Sequence, residues 1–181
     1  MDARVVLAIV IAAYIVVRII ESLINRRHTA RIVARHAFPI RPDGFYGIAA
    51  VQALALVGLV VEGFLLPAYG AILWLGTWPL LALAVLALAL RHWCVATLGD
   101  RWVFRVWLLP HEPLVIAGPY RFLRHPNYLA VFLEYVAVPL AFGLWVTAVI
   151  TIPLGAWSLL HRKRIEEQAL RPLRGVNKKT V

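Results

Sequence analysis

Residues 68–90, AYGAILWLGTWPLLALAVLALAL, contain no charged side chain in 23 consecutive positions. A helix of this length, rising about 1.5 Å per residue, can cross the roughly 30 Å hydrocarbon core of a bilayer. The preceding run, Phe45 to Val61, is also uncharged, and the short segment Pro67–Gly70 separates the two predicted helices. The pattern predicts an antiparallel membrane-spanning hairpin, with Glu62 solvated near the outer interface.

The composition also predicts a membrane protein. Of the 181 residues, 62% are hydrophobic and 15% are charged, whereas soluble domains average about half apolar and about a quarter charged. Lipid must cover the surplus apolar surface, and the length leaves little room for a second, soluble domain. We therefore expect a single integral membrane domain over residues 1–181.

Two further apolar regions complete the predicted fold. The run Val5–Val17 lacks the cleavage site of a signal peptide, so it predicts an uncleaved helix in which Arg18 pairs with Glu21. Residues 128–160 contain one charge, Glu134, and as a single helix would measure about 50 Å, which is too long for one crossing. They therefore predict two helices that turn near residues 141–143. The predicted fold is all-α and polytopic, with five transmembrane helices over about residues 3–24, 44–66, 68–98, 127–141 and 144–170, the last two forming a helical hairpin.

The basic residues predict the orientation in the membrane. Segments 25–43, 91–127 and 161–181 contain 17 of the 19 Lys and Arg residues, and five crossings place all three on one side. This is the positive-inside pattern, with the N-terminus outside and the C-terminus in the cytoplasm. A four-crossing arrangement would leave the basic tail outside. The net charge of +10 therefore reflects orientation rather than nucleic-acid binding, because the charges lie between apolar spans.

Proline and glycine predict where the helices end. Pro39, Pro42 and Gly44 precede the second helix, Gly99 ends the third, and the last helix is expected to stop before Pro172. The cytoplasmic segment between the third and fourth helices is too rich in proline to be one continuous helix. It is therefore the place where a site can be built.

Two short segments carry the functional signal. Gly118–Tyr128, GPYRFLRHPNY, lies immediately before the fourth predicted helix, and Arg164–Glu167, RIEE, follows the apolar part of the fifth. At these residues the chain resembles the isoprenylcysteine carboxyl methyltransferase family, whose hallmark is a G-x-Y…R-H-P-x-Y segment with a carboxylate-bearing C-terminal helix. The resemblance covers about residues 90–170, and Arg101-Trp102 and Glu134 extend it to a bacterial branch that O-methylates long-chain alkylpyrones or related phenolic lipids.

The resemblance implies a methyltransferase of a bacterial inner membrane that uses S-adenosylmethionine. This donor has a cationic sulfur, a carboxylate, an ammonium, a ribose and an adenine, which call for aromatic faces, a cation and acids. The residues expected to bind it are Gly118, Tyr120, Arg124, His125, Pro126, Tyr128, Glu166 and Glu167. Simpler alternatives stay open: interfacial anchors for the tyrosines, a helix cap for His125, and an i,i+3 pair of Glu167 with Arg164. Which of the two glutamates contacts the cofactor is also open.

Glu134 and Arg164 are the expected catalytic residues. Glu134 lies nearly two turns inside an apolar helix, where an unpaired carboxylate is costly, and this predicts a base or a hydrogen-bond partner for the acceptor. By resemblance, Arg164 matches an arginine that orients a lipophilic acceptor at the cytoplasmic membrane face. Three residues are expected to bind the head group of that acceptor: Arg101, Trp102 and Arg105. The alternative for Glu134 is a structural bond to Arg91, His92 or a neighbouring helix.

Other functions fit the pattern less well. Nicotinamide-dependent sterol reductases have a similar H-P-x-Y region but are longer, a phospholipid amine N-methyltransferase would change only the acceptor, and a membrane scaffold would leave Glu134 without a task. No G-x-G-x-x-G follows a strand, which excludes a soluble Rossmann methyltransferase. No metal site is expected, because His111 and Glu112 share a loop without further ligands. Cys94 has no disulfide partner and is expected to pack within a helix.

Overall fold

The computed structural model describes residues 2–66, 72–108 and 115–177, and most of them are helical. Shorter helical turns cover Val61–Leu65, Gly99–Arg101 and Gly118–Arg121. The long helices are α1 (Ala3–Ala34), α2 (Phe45–Val60), α3 (Thr77–Leu98), α4 (Pro126–Ala141) and α5 (Trp145–Asn177), and two strands, β1 (Phe38–Pro39) and β2 (Trp107–Leu108), form an antiparallel pair. The mostly helical fold is confirmed, and the small β-pair is an exception to the all-α prediction.

Among the residues that the structure describes, three helical stretches are long and apolar enough to cross a membrane: Ala3–Ala34, Phe45–Leu65 and Thr77–Arg101. Helix α4 is apolar but shorter. It packs against α3 on one side and α5 on the other, and so occupies the centre of the bundle. The prediction of a polytopic helical protein therefore has a structural basis in three helices, while the five crossings and their orientation stay predictions.

Helix α1 is longer than the sequence predicted. It was expected to end near residue 24, but it continues to Ala34. Residues 25–34 contain no proline or glycine and include several arginines, which are good helix formers, so nothing in this segment stops the helix. The chain leaves the helix only at His36, whose φ is +58°, before Pro39.

Helix α3 begins at Thr77 rather than near residue 68. Thr77 Oγ1 accepts a hydrogen bond from the Trp74 amide at 2.9 Å and donates to the Ala141 carbonyl at 2.7 Å. These bonds satisfy polar groups at the start of α3 and the end of α4, so a tertiary contact selects the first residue of the helix. Helix α3 ends before Gly99 as predicted, while the turn at Pro67–Gly70 lies outside the described residues.

The turn between α4 and α5 falls near residues 141–143 as predicted. The start of α5 just after this turn explains why Glu62 is buried. Glu62 was expected to be solvated, but its side chain is buried and only 2% exposed. It accepts hydrogen bonds from the amides of Val146 and Thr147 at 3.0 and 2.7 Å, and from Thr147 Oγ1 at 2.7 Å. A carboxylate at a helix N-terminus pairs with otherwise unsatisfied amides, so Glu62 caps α5 from another helix.

Helix α5 also runs past its predicted end. Its backbone remains helical through Pro172 to Asn177. Proline removes one amide donor and restricts the preceding residue, but neither effect ends the helix here. The C-terminal helix is therefore one long element that contains both the apolar run after Trp145 and the polar residues Arg162–Glu167.

The extra turns of α1 support the segment that follows α3. Arg31 Nη1 donates to Asp100 Oδ1 at 2.6 Å, and the Phe104 amide donates to Asn25 Oδ1 at 2.7 Å. All four of these residues lie outside the most apolar parts of the helices. The end of α1 therefore fixes the position of residues 99–108, which lie beside the site described next.

Candidate functional site

The segment that begins α4 is in direct contact with the polar part of α5. His125 Nε2 lies 3.1 Å from Glu167 Oε1, and the Tyr128 hydroxyl donates a hydrogen bond to Glu166 Oε2. His125 Nδ1 is 4.0 Å from the same Glu166 oxygen. We call His125, Tyr128, Glu166 and Glu167 the His–Glu cluster. The predicted cofactor residues of the two motifs are thus brought together, and both glutamates are engaged.

The local sequence explains the positions of His125 and Tyr128 at the start of α4. Pro126 occupies the first turn of α4, where its missing amide donor costs nothing, and it keeps His125 out of the helical conformation, with φ of −133° and ψ of 59°. The His125 side chain makes no capping bond to α4, so its ring is available to Glu167. Tyr128, three residues later, lies on the same helical face, and the two rings stack with centroids 5.3 Å apart and planes inclined by 2°.

Arg162 belongs to the site, although the sequence analysis did not select it. Its side chain is buried, with Nε donating to the Tyr128 hydroxyl at 3.1 Å and Nη2 donating to the Phe104 carbonyl. Arg164, the residue selected instead, is exposed on α5. The signal that identifies Arg162 is its spacing of four residues from Glu166, which places both on one helical face.

Gly118 and Tyr120 lie on the α3 side of the site. Gly118 has a φ of +54°, and a Cβ at this position would collide with Thr97 Oγ1 of α3, so only glycine permits the close approach. Tyr120 is hydrogen-bonded to Cys94, which lies on α3 like Thr97. Burial, together with the nearby Cys94 and the negative charge of Glu166, raises the pKa of Tyr120 well above its usual value. Its hydroxyl therefore stays protonated and neutral.

The other predicted binding residues have more varied environments. Trp102 is buried, and its carbonyl lies 2.9 Å from His28 Nδ1. Arg105 is 3.8 Å from Asp43 and stacks over the rings of Phe45 and Tyr46 at 5.1 and 4.8 Å. These contacts hold residues 102–105 against α2 and the end of α1, and the Phe104 carbonyl joins the segment to Arg162.

The remaining predicted binding residues differ in burial. Arg101 is partly exposed, Pro126 is buried and Arg124 is exposed. His111 and Glu112 lie outside the described residues.

Glu134 is part of a buried charge group formed by three helices. Arg91 of α3 binds Glu21 of α1 through two bonds of 2.6 and 2.8 Å. Arg18 lies 3.1 Å from Glu21 and 3.6 Å from Glu134 of α4. We call Arg18, Glu21, Arg91 and Glu134 the charge quartet. Its two positive and two negative side chains are formally neutral together, and the predicted pairing of Arg18 with Glu21 is confirmed.

Glu134 is not brought next to the His–Glu cluster. It lies six residues beyond Tyr128 in α4, which is about 9 Å along the helix axis. It also forms part of the wall of a small cleft between the helices. The remaining wall is almost entirely apolar: Tyr14, Ala55, Leu56, Leu59, Tyr135, Val138, Pro139 and Thr147.

The site can be compared with known proteins. The model of the isoprenylcysteine carboxyl methyltransferase family matches residues 80–172, which is just over half of the chain and includes α4, the His–Glu cluster and Arg162. An uncharacterized protein of Bacillus subtilis, YpbQ, is 29% identical over 163 residues, covering 90% of this chain and 95% of the relative. An uncharacterized protein of Haemophilus influenzae is 26% identical over 91 residues, covering 50% of this chain and 53% of the relative. No solved structure matches the chain significantly.

These findings agree on one assignment. The matched residues contain both segments of the family hallmark, and these two segments are in contact in the structure. The family consists of membrane methyltransferases, and the apolar helices of this chain suit an integral membrane protein. The protein therefore belongs to the isoprenylcysteine carboxyl methyltransferase family.

Proposed function

We propose that the protein uses S-adenosylmethionine to O-methylate a lipophilic acceptor at the cytoplasmic face of a bacterial inner membrane. The observation that carries the proposal is the contact of His125 and Tyr128 with Glu167 and Glu166. It joins two segments 38 to 42 residues apart in the chain into one partly buried polar surface. The acceptor is a long-chain alkylpyrone or phenolic lipid, or a carboxylate like that of an isoprenylcysteine.

The residue types of the site fit this cofactor. The stacked faces of His125 and Tyr128 can receive a cation or an adenine ring. The carboxylates of Glu166 and Glu167 can accept hydrogen bonds from an ammonium group or from ribose hydroxyls. When bound, the cofactor supplies an electrophilic methyl carbon on a cationic sulfur, and two neighbouring carboxylates favour that positive charge.

The surrounding residues suit methyl transfer, which needs a fixed geometry and little water. Arg162 holds the Tyr128 hydroxyl and ties it to the 99–108 segment, so it keeps one wall of the site in place. Tyr120 closes the α3 side as a neutral phenol. An acceptor that is already an anion, such as an enolate or carboxylate, needs orientation more than it needs a base. Arg164, an exposed cation two residues before Glu166, stays the predicted orienting residue.

The lipid tail of the acceptor is proposed to lie between the helices, with its polar head at the His–Glu cluster. Glu134 stays the predicted acceptor-side residue, but its depth in the helical bundle limits which acceptors it can contact. Because it lies about 9 Å beyond Tyr128 along α4, it can act directly only on an acceptor whose polar group extends two turns into the bundle. Five crossings, with the N-terminus outside and the C-terminus in the cytoplasm, place the His–Glu cluster at the inner leaflet.

Cofactor binding is the direct test. We expect purified protein in detergent to bind S-adenosylmethionine saturably by isothermal titration calorimetry, and His125→Ala to weaken binding at least tenfold. Loss of one charge-assisted contact is worth about 1.5–3 kcal/mol, which corresponds to this factor or more. His161→Ala is the matched control, because His161 is exposed on the same helix as Glu167 and stacks on Trp157 instead. The absence of saturable binding by the folded wild-type protein would refute the proposal.

The acceptor requires a separate measurement. Lipid extracts from cells with and without the intact gene are compared by mass spectrometry for a pair of species that differ by one methyl group. A methylated pyrone, phenol or carboxylate supports O-methylation. A methylated phospholipid amine would instead assign the chain to N-methylation with the same cofactor.

A further inference from the structure

An exposed apolar patch lies next to the His–Glu cluster. Ile116, Phe122 and Leu123 are 75%, 74% and 45% exposed, respectively. Arg121 and Arg124 flank the last two and are exposed as well. We call these five residues the 116–124 patch. It lies immediately before His125, and nothing in the proposed methyl transfer uses its apolar side chains.

The position of the patch indicates what covers it. Gly118, within this segment, packs against α3, where a Cβ on Gly118 would lie 3.2 Å from Trp93 Nε1. Trp93 itself is 51% exposed, and Leu129 in the first turn of α4 is 41% exposed. Both belong to apolar helices of a membrane protein, so their exposed side chains face lipid. The patch therefore continues the lipid-facing surface of α3 and α4 at the end where the His–Glu cluster lies.

The charges of the patch complement a phospholipid surface. An exposed tryptophan at a helix end is typical of the boundary between headgroups and acyl chains. Neighbouring apolar and arginine side chains are the combination that inserts at this boundary, with the apolar groups among the acyl chains and the guanidinium groups among the phosphates. Arg121 and Arg124 are both exposed, and neither takes part in the ion pairs found among the described residues. Both are therefore available to an anion outside the protein.

We propose that the 116–124 patch is a binding site for anionic phospholipid. Phe122, Leu123 and Ile116 insert into the leaflet on the side of the His–Glu cluster, and Arg121 and Arg124 bind the phosphate groups of that leaflet. The site positions a lipid surface beside His125, so a lipophilic molecule reaches the cluster from the membrane rather than from water. The lipid site does not depend on the proposed methyl transfer.

The depth of the patch can be measured with an environment-sensitive fluorophore. Leu123→Cys is labelled with nitrobenzoxadiazole in nanodiscs of phosphatidylcholine with phosphatidylglycerol. The native Cys94 is fully buried and is not expected to react. We expect blue-shifted emission that is quenched by nitroxide on the lipid chains and protected from aqueous iodide. His36→Cys, exposed just after α1, is the control that iodide should quench. Equal iodide quenching at the two positions overturns the insertion.

The choice of lipid can be measured separately by native mass spectrometry. The folded protein is titrated with phosphatidylglycerol, and the double variant Arg121→Gln/Arg124→Gln is compared with Arg26→Gln/Arg27→Gln, a pair of exposed arginines on α1. Each arginine near an anionic surface contributes roughly a fivefold factor, so the first double variant should lose about 25-fold in affinity. A loss of the same size in the α1 variant, or none in the patch variant, overturns the proposal. Thermal unfolding of each variant verifies that it is folded, and no S-adenosylmethionine is present, so the result is independent of the proposed function.

Discussion

Two arginines, Arg162 and Arg164, lie two positions apart in α5 and have opposite environments. Arg162 is 6% exposed and donates to Tyr128 and to Phe104, whereas Arg164 is exposed. The difference follows from helical geometry, because residues two apart point to different faces. Sequence resemblance selected Arg164 to orient the acceptor, which stays a prediction, and the packing of α5 against α4 adds Arg162 as the arginine that contacts Tyr128. The arginine that shapes the site is therefore decided by which face of α5 meets Tyr128.

We predict that Arg162→Gln destabilises the protein and disturbs the site. The substitution shortens the side chain and removes the charge that binds the Tyr128 hydroxyl and the Phe104 carbonyl. Hydrogen bonds from charged groups contribute about 1.5–3 kcal/mol, and we expect a loss of this size in the free energy of unfolding. Arg164→Gln is the matched control and should stay within about 0.5 kcal/mol, as exposed substitutions do. Detergent titration followed by circular dichroism measures both, and equal effects would show that Arg162 has no special role.

At the level of elements, glycine sets how closely α5 approaches α4. A Cβ on Gly155 would overlap the ring of Tyr135, whose other contacts include Val51, Val131 and Leu159 in a buried apolar cluster. The absence of a side chain at this position lets the two helices pack closely, as small residues do in membrane bundles. This contact lies between the His–Glu cluster and the turn that joins α4 to α5, so it sets the separation of the two helices between that turn and Glu166.

We predict that Gly155→Ala costs about 1–3 kcal/mol of stability, because the added methyl group forces Tyr135 or a helix to shift. Gly47→Ala on α2 is the control. A Cβ on Gly47 would lie 3.7 Å from Ser158, which is an ordinary contact, and alanine favours the helix. Thermal unfolding in detergent should therefore show a lower midpoint for Gly155→Ala and an unchanged or higher one for Gly47→Ala. The packing argument fails if the two substitutions behave alike.

At the scale of the whole molecule, the charge quartet joins the N-terminal helix to the region that the family model matches. Glu21 and Arg18 lie in α1, outside residues 80–172, whereas Arg91 and Glu134 lie within them. Charged side chains inside a membrane domain are costly unless they pair with one another. The four residues compensate each other in charge, and they hold α1 against α3 and α4.

We predict that Glu21→Gln is strongly destabilising, by about 3–5 kcal/mol, because it leaves the Arg91 guanidinium buried without its carboxylate. The double variant Glu21→Gln/Arg91→Gln should recover part of that loss, since it removes both charges. A double-mutant cycle based on unfolding in detergent gives the coupling between the two. Additive effects, with no coupling, would contradict the tie between α1 and α3.

We predict that Glu134→Gln separates a structural role from a catalytic one. The variant keeps the size of the side chain and removes its charge, and S-adenosylmethionine affinity should remain within about threefold because Glu134 is about 9 Å from Tyr128 along α4. Turnover of the true acceptor should fall at least tenfold if Glu134 contacts it, a change of about 1.4 kcal/mol or more. Full activity with lowered thermal stability would assign Glu134 to the charge quartet alone.

The amino-acid sequence by itself determined the class of the protein. The long uncharged runs predicted a helical membrane protein, since a helix satisfies its own backbone hydrogen bonds in lipid. Helix-breaking residues correctly predicted the end of α3 and the start of α4, because Gly99 and Pro126 act locally through backbone geometry. The two hallmark segments were identified by their resemblance to the family, and that resemblance implied that they lie together.

Only the tertiary structure decided the remaining features, because they depend on partners far away in the chain. The start of α3 depends on a bond from Thr77 to Ala141, and the burial of Glu62 depends on the open amides of α5. The quartet depends on three helices meeting at one depth, and Arg162 on which face of α5 packs against α4. Local sequence determines the conformational preference of a segment. A charged or hydroxyl group inside an apolar bundle instead pairs with the group that the tertiary structure places within hydrogen-bonding distance.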